Sequence, residues 1–375
     1  MTTANAPRDL VIRLMDGYLS TQMLYVAVRL GLADELSGGP RTTADLATAV
    51  GAAPAPLHRL LRGLVMEGVL SEQPDGRYAL TEAGWLLCAD DGHGRDRDYE
   101  SDPDHGLGPG RDRDHERDPG YGHSRGSVRG AVLARGALYY RAAAGLLETI
   151  RGGGSAFRHV YGADMFEHLA TSPEDAAIFQ LSMLARSHQE AEALATTYDF
   201  TPCHHVMDIG GGYGVTLTAI LKAFPGLRGT LFDRPDVAAD ARTRLAAAGL
   251  TDRVTVVGGD FFEGVPAGGD VYVLSRVLHD WDDEKAVRIL TSCRRAMPDR
   301  GRGRVVIVDA ILGEHAHDQP AAVRMDLHML VLATGRERTA AEFETLLSAA
   351  HFRITRILPP AAAPGIQIVE AVADV

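Results

Sequence analysis

Between positions 206 and 214 the chain reads Val-Met-Asp-Ile-Gly-Gly-Gly-Tyr-Gly, a short apolar run that ends in three consecutive glycines. Glycines at a strand-to-helix turn let backbone approach a ligand closely, because no Cβ intervenes. A second apolar run, Gly229-Thr230-Leu231-Phe232, ends in Asp233 about 20 positions beyond the glycines, where a carboxylate can accept both ribose hydroxyls of a nucleoside. The spacing Asp-x-Gly-Gly-Gly-x-Gly is not the dinucleotide pattern Gly-x-Gly-x-x-Gly, and no Gly-Lys-Ser/Thr of a phosphate loop follows. Asp208 stands where an anionic pyrophosphate would be repelled. A carboxylate there suits a ligand carrying positive charge, and S-adenosylmethionine, with its ammonium and sulfonium, fits that logic.

Two further strand ends carry chemistry. Val254–Val257 leads into Gly258-Gly259-Asp260-Phe261-Phe262, an acid and an aromatic suited to hydrogen-bond and pack an adenine. Asp270–Leu274 runs into Ser275-Arg276-Val277-Leu278-His279-Asp280-Trp281-Asp282-Asp283-Glu284. Taken together, these residues resemble the S-adenosylmethionine-dependent small-molecule O-methyltransferases, the plant-type family shared by bacterial antibiotic-tailoring enzymes. The resemblance spans about Asp9 to about Val372, apart from one segment near the middle.

The resemblance implies a phenolic hydroxyl of an aromatic secondary metabolite, antibiotic or polyketide-like, as methyl acceptor. Methyl transfer from a sulfonium is an in-line displacement, so the enzyme must align three atoms and remove the acceptor's proton. A phenol loses its proton near pH ~10, and an imidazole titrating near ~6.5 is the natural base. His279 matches the family's base, and Asp309 and Glu337 match the carboxylates that orient it; Glu337 lies in Gly335-Arg336-Glu337-Arg338-Thr339, close to the family's Gly-Lys-Glu-Arg-Thr. For the cofactor, Gly210, Gly212 and Asp208 are expected at the methionine portion, Asp233 at the ribose, and Asp260 and Phe261 at the adenine with Trp281 packed nearby. Ser275 is expected at the methionine carboxylate. Met325, Asp326, Met329 and Leu330 match the helix facing the acceptor. Asp280 is given an auxiliary role there, its side chain expected toward the adjoining turn. Tyr139, Phe157, Phe166, Phe179 and Met183 are candidate walls, each also readable as plain core.

These residues need elements to hold them. Residues 1–89 read as helix, helix and small hairpin: Asp9 to Leu36, a helix capped by Thr43, a helix from Pro56 to Met66, then Val69-Leu70 and Tyr78–Thr81 around Asp75-Gly76. That is a winged-helix pattern. The fold often binds DNA, but its candidate recognition helix offers only His58, Arg59 and Arg62. In the resembled family the module forms a homodimer and caps the partner's substrate cavity. Residues 90–127 are dominated by Asp, Arg, His and Gly, with Gly94–Asp98 nearly repeated at Gly110–Asp114. Such a stretch cannot bury enough surface to offset its ordering entropy and reads as a disordered insertion. Its His93, His105, His115 and His123 are weak metal candidates, and no metal is expected. Residues 128–200 read as helices that bridge the domains and line the pocket, and residues 201–375 as the cofactor-binding catalytic domain. That last part is expected to be a Rossmann-like doubly wound α/β sheet with an antiparallel edge and its ligands at the strands' carboxyl ends.

Composition narrows the partners. With 375 residues and a net charge of −12, the chain can build a large core but not a phosphate-tracking surface, which speaks against nucleic acid. Its three cysteines, Cys88, Cys203 and Cys293, lack metal spacing and suggest a reducing compartment. No signal peptide or long apolar run is visible, so a cytoplasmic protein without a membrane partner is expected. Two other readings stay open: the same fold and cofactor serving N- or C-methylation or non-methyl-transfer tailoring, and a winged-helix regulator that senses the cofactor.

Overall fold

The computed structural model describes residues 6–89, 127–297, 303–360, 362–363 and 365–374. The chain divides into two compact units after Leu133. The first contains α1 (Ala6–Leu30), α2 (Leu32–Leu36), α3 (Thr43–Val50), α4 (Pro54–Met66), the antiparallel pair β1 (Leu70–Glu72) and β2 (Tyr78–Leu80), and α5 (Glu82–Trp85). Helix α3 begins one residue earlier than expected: Thr42, not Thr43, is its cap, because Asp45 reciprocates three positions on to close a capping box. Leu32, Leu46, Leu57, Leu61 and Tyr78 form this unit's core. The first half of α1 leaves Leu10, Val11, Leu14, Met15, Tyr18 and Leu19 exposed.

The segment expected to be a disordered insertion, with its four histidines, lies outside the described residues except at its far end. Ser127 is buried, donates to the Cys88 carbonyl at 2.8 Å and accepts from the Arg129 N–H, while Val128 N–H donates to the Leu86 carbonyl at 2.9 Å. Residues 88–89 and 127–128 therefore lie side by side. Helix α6 (Arg129–Ala134) follows, and its Val132 and Leu133 pack on the first unit's core.

From Ala134 the chain belongs to the second unit, so the expected separate bridging region merges with the catalytic domain. A π-helical turn (Arg135–Tyr139) leads through α7 (Tyr140–Ala142) and a 3₁₀ turn (Ala143–Gly145) to α8 (Leu146–Gly152), α9 (Ala156–Tyr161), α10 (Met165–Thr171) and α11 (Pro173–Thr197). The merger has a packing cause: Ala193, Leu194, Tyr198 and Phe200, at and beyond the end of α11, are buried in one cluster with the sheet and its flanking helices.

Strands and helices then alternate: β3 (His205–Ile209), α12 (Val215–Ala223), β4 (Arg228–Asp233), α13 (Pro235–Ala247), β5 (Val254–Gly258), β6 (Val271–Ser275), α14 (Asp283–Ala296), β7 (Arg304–Asp309), β8 (Ile311–Leu312), α15 (Pro320–Leu332), β9 (Arg338–Thr339), α16 (Ala340–Ala349), β10 (Phe352–Leu358) and β11 (Gln367–Ala373). Seven strands form one sheet in the order β10-β11-β7-β6-β3-β4-β5, all running the same way except β11, which is antiparallel to both of its neighbours, β7 and the edge strand β10. Buried clusters cover both faces, as the near-continuous apolar strands require. The chain reverses direction across the sheet between β3 and β6, so a crevice opens at their carboxyl ends. A short parallel pair, β8 with β9, was not anticipated. No helix of the described residues is long and apolar enough to cross a membrane.

Candidate active site

The glycine turn after β3 has the backbone it needs. Gly210, Gly212 and Gly214 lie at φ of 70°, 54° and 79°, where a side chain is strained. A Cβ on Gly210 would come within 2.8 Å of Val277, whereas one on Gly212 would meet nothing within 4 Å, so the turn is packed on one side and open on the other. Asp233 ends β4, its two oxygens accepting from the N–H groups of Gly212 (2.8 Å) and Arg234 (2.7 Å). Burial raises its pKa above the ordinary carboxylate value. Asp208 is buried beneath the turn and neither of its oxygens has a hydrogen-bond partner. Burial, then the nearby Asp233, push its carboxyl up to about 7. An orphaned carboxyl below an open glycine lip is a demand for a cationic or donor-rich ligand, which S-adenosylmethionine meets.

Asp260 is exposed just beyond β5, and one of its oxygens accepts from the Phe262 N–H at 2.8 Å. Phe261 and Phe262 meet Trp281 edge-to-face at centroid distances of 5.9 and 4.9 Å, and Phe166 stacks on Trp281 at 6.2 Å. Four aromatics thus gather beside the tip of β5. Ser275 ends β6, half-buried.

His279 sits on a 3₁₀ turn (Leu278–Asp280) and is buried. Its Nδ1 lies 2.9 Å from Glu337 Oε1, and its Nε2 lies 3.5 Å from Asp280 Oδ1. Asp280 therefore faces the imidazole and not the adjoining turn, drawn there by the attraction between its carboxylate and the ring's Nε2 edge. Asp309, at the end of β7, is fully buried with neither oxygen hydrogen-bonded, and Glu337 Oε2 is also unpartnered. Burial and Arg276 pull the imidazole's pKa down, but Asp280, Glu337 and Asp309 outweigh them and the net shift is upward. Burial drives the Asp309 carboxyl up, while His279 and Arg276 overcome burial at Glu337 and hold it below its usual value. Glu337 is thus the ionised partner of the imidazole. Ligand atoms of His279, Asp309 and Glu337 lie within 4.8 Å of one another. The Arg276 guanidinium nevertheless stands 3.6 Å from Glu337 and 4.0 Å from Asp309, a fixed cation where a metal would have to enter.

Backbone contacts lock this turn. Arg338 is fully buried and donates to the carbonyls of Leu278 (3.0 Å) and Trp281 (2.8 Å) and to Asp283 (2.9 Å). Gly335 packs so tightly that a Cβ there would fall 1.9 Å from the His279 carbonyl oxygen. On α15, Met325 and Met329 are buried one turn apart, and the Met325 sulfur accepts from Arg186 at 3.4 Å. Asp326 does not simply face an acceptor: its Oδ1 accepts from the Glu337 N–H at 3.0 Å and so fixes the loop. Met183 is half-buried on α11, as are Tyr139, Phe166 and Phe179 in their elements, whereas Phe157 is fully buried, stacked on Tyr161 at 4.2 Å, and is core instead of wall. Two participants were not anticipated. Arg276 was passed over although it lies three residues before His279. Glu190, buried on α11, reaches Arg276 at 3.9 Å and carries no motif.

Comparison with known proteins agrees with this geometry. The O-methyltransferase domain family matches residues 143–353, and the O-methyltransferase dimerisation domain family matches residues 12–90. The chain is 40% identical to the phenazine O-methyltransferase PhzM of Lysobacter antibioticus over 97% of its own length and 95% of that protein's. It is 36% identical to the 8-amino-8-demethylriboflavin N,N-dimethyltransferase of Streptomyces davaonensis, over 90% of this chain and 88% of that one. Among solved structures, an O-methyltransferase from neocarzinostatin biosynthesis (NcsB1), in complex with S-adenosylmethionine and 2-hydroxy-5-methyl naphthoic acid, superposes with a TM-score of 0.75 at 32% identity, covering 94% of this chain and 96% of that one. The glycine lip, the acid-flanked histidine and a likeness that runs from end to end have one explanation: the chain belongs to the O-methyltransferase family of antibiotic and phenazine tailoring, and it is an S-adenosylmethionine-dependent methyltransferase.

Proposed function

We propose that the enzyme methylates a phenolic hydroxyl of a small aromatic secondary metabolite, with His279 as general base. The observation that carries this reading is the 2.9 Å contact between His279 Nδ1 and Glu337. An ionised carboxylate can only accept, so Nδ1 is the protonated nitrogen and Nε2 keeps its lone pair for the acceptor's proton. A phenol near ~10 and an imidazole near ~6.5 differ by several units, and the upward shift at His279 narrows the gap. When the proton arrives, Glu337 and Asp280 stabilise the imidazolium.

Asp208, Gly210, Gly212, Asp233, Asp260, Phe261, Ser275 and Trp281 would hold the cofactor. Bound S-adenosylmethionine supplies an electrophilic methyl on a positively charged sulfur. Met183, Met325 and Met329 give the acceptor adaptable apolar walls, Asp280 borders its hydroxyl, and Asp326 steadies Glu337. The complex of the related NcsB1 with a hydroxynaphthoic acid supports an aromatic acceptor of this size. The dimerisation-domain match and the exposed apolar face of α1 support a homodimer through the N-terminal domain. A cytoplasmic location completes the reading.

A second reading, N-methylation, is favoured by the riboflavin N,N-dimethyltransferase relative. The test is a panel of phenols and arylamines incubated with isotopically labelled cofactor and read by mass spectrometry, for wild type and His279→Ala. A phenol product whose rate falls by about 10²–10⁴-fold in the variant, with cofactor affinity unchanged, is the expected result. Unchanged turnover in His279→Ala removes the base role, and label on nitrogen alone transfers the assignment to the second reading.

A further inference from the structure

Arg276 terminates β6 in the left-handed region, at φ of 58°, which a residue with a side chain seldom adopts. Its N–H donates to the Val308 carbonyl at 2.9 Å, tying the turn to β7. Strain of this kind persists where the surroundings over-determine it, and it gathers at functional sites. The side chain reaches acids from three other elements: Glu190 Oε2 of α11 at 3.9 Å, Asp309 Oδ1 of β7 at 4.0 Å, and Glu337 Oε1, just before β9, at 3.6 Å. That Glu337 oxygen is the one facing His279 Nδ1. Neither terminal nitrogen of Arg276 makes a hydrogen bond, so the group acts by its field and not as a bidentate clamp.

The imidazole needs such a field. It faces Asp280 on its own turn, Glu337 on the loop and Asp309 at the strand end, with Asp326 of α15 behind Glu337. Beyond Arg276 stands a second cation, Arg186 of α11, which pairs with Glu190 at 3.4 Å and lies near Tyr139. Three acids around one histidine favour its protonated form, and a protonated base removes nothing from an acceptor. We propose that Arg276 is a positioning residue whose fixed positive charge offsets part of the pull of these acids, so that His279 is held nearer its neutral form with Nε2 free. The inference rests on the reading of His279 as general base. Burial opposes charge at Arg276, yet Glu190, Glu337, Asp309 and Asp280 hold it protonated above its ordinary value, and it in turn lowers the affinity of His279 for a proton.

The experiment compares kcat/KM against pH for wild type, Arg276→Gln, Arg276→Lys and Glu190→Gln, with cofactor affinity by calorimetry as the check of folding. The acid limb reports the base of the free enzyme. In Arg276→Gln it should move to higher pH by about one unit, with activity recovering on the alkaline plateau. Arg276→Lys should restore the limb to its wild-type position. Glu190→Gln removes an acid that Arg276 (3.9 Å) shares with Arg186 (3.4 Å) and should move the limb the other way, which keeps the proposal open to test if Arg276→Gln does not fold. A merely structural Arg276 would lower the plateau and leave the limb in place, and that result overturns the proposal. The His279→Ala control separates the two ideas. If it is inactive while the limbs of all three variants coincide with wild type, the role of Arg276 falls and the base stands; if it is as active as wild type, both fall.

Discussion

Asp208→Asn is the sharpest perturbation of the cofactor crevice. The residue is 1% exposed, both oxygens are unpartnered, and its carboxyl titrates at about 7 in the folded chain against 3.8 in a model peptide. A carboxyl whose folded pKa lies above its unfolded value binds its proton more tightly when folded. Its contribution to stability is therefore complete below pH 3.8 and is lost as pH rises through about 7. At pH 8.5 the whole displacement of about three units weighs against folding, roughly 4 kcal/mol; at pH 5 only about a third of it does. Asparagine has the same shape and no titration. The stability difference between variant and wild type should hence shift in the variant's favour by roughly 2–3 kcal/mol between pH 5 and pH 8.5. Urea unfolding of both proteins without cofactor at the two pH values measures it, since the groups other than the neighbouring Asp233 titrate alike in both and cancel. The same difference at both pH values would refute the account of a neutral, orphaned carboxyl beneath the glycine lip.

Two further outcomes follow from backbone packing. Gly335→Ala places a methyl against the His279 carbonyl and should cost about 2–3 kcal/mol of stability. Displacing the base should also cut turnover about 10²-fold while cofactor affinity changes little, a split that rate and calorimetric measurements resolve. Replacing residues 91–125 with a short Gly/Ser linker should leave the melting temperature unchanged or raise it by the equivalent of about 1 kcal/mol, because the hydrogen bonds at Ser127 and Val128 hold the two ends together and shorter loops close more cheaply. A fall of several degrees in a thermal scan would contradict it.

The parts of the site that were legible are those whose signals are local. A glycine triplet after an apolar run, acids at the tips of β4 and β5, and a histidine followed by acids and a tryptophan are each written within a few residues. The short apolar runs and their alternation with helices pointed to the sheet and its antiparallel terminal hairpin. What escaped depends on distant partners. Glu190 and Arg276 meet only because α11 packs beside the sheet, and no spacing announces a contact across that separation. The direction of Asp280 follows from its attraction to the His279 ring, which its sequence does not distinguish from a helix entry. Asp326 looked like an acceptor-facing residue until Glu337 folded over it. Thr43 read as the cap of α3, and only the reciprocal bond between Thr42 and Asp45 puts the cap one residue earlier. Gly335 reads as an ordinary loop glycine in the sequence; the close approach of two chain segments gives it its meaning.

The pairing of β8 with β9 has an outcome of its own. It aligns Ile311 with Arg338, two residues past Asp309 and one past Glu337. Main-chain pairing thus helps assign the two carboxylates their addresses, beside the Asp326 bond to the Glu337 N–H. The β8–β9 ladder would hold these two positions beside the imidazole even where the side chain at either one changed. The architecture keeps evolutionary room beside the imidazole, where a lineage can trade one accepting atom for another a single codon at a time.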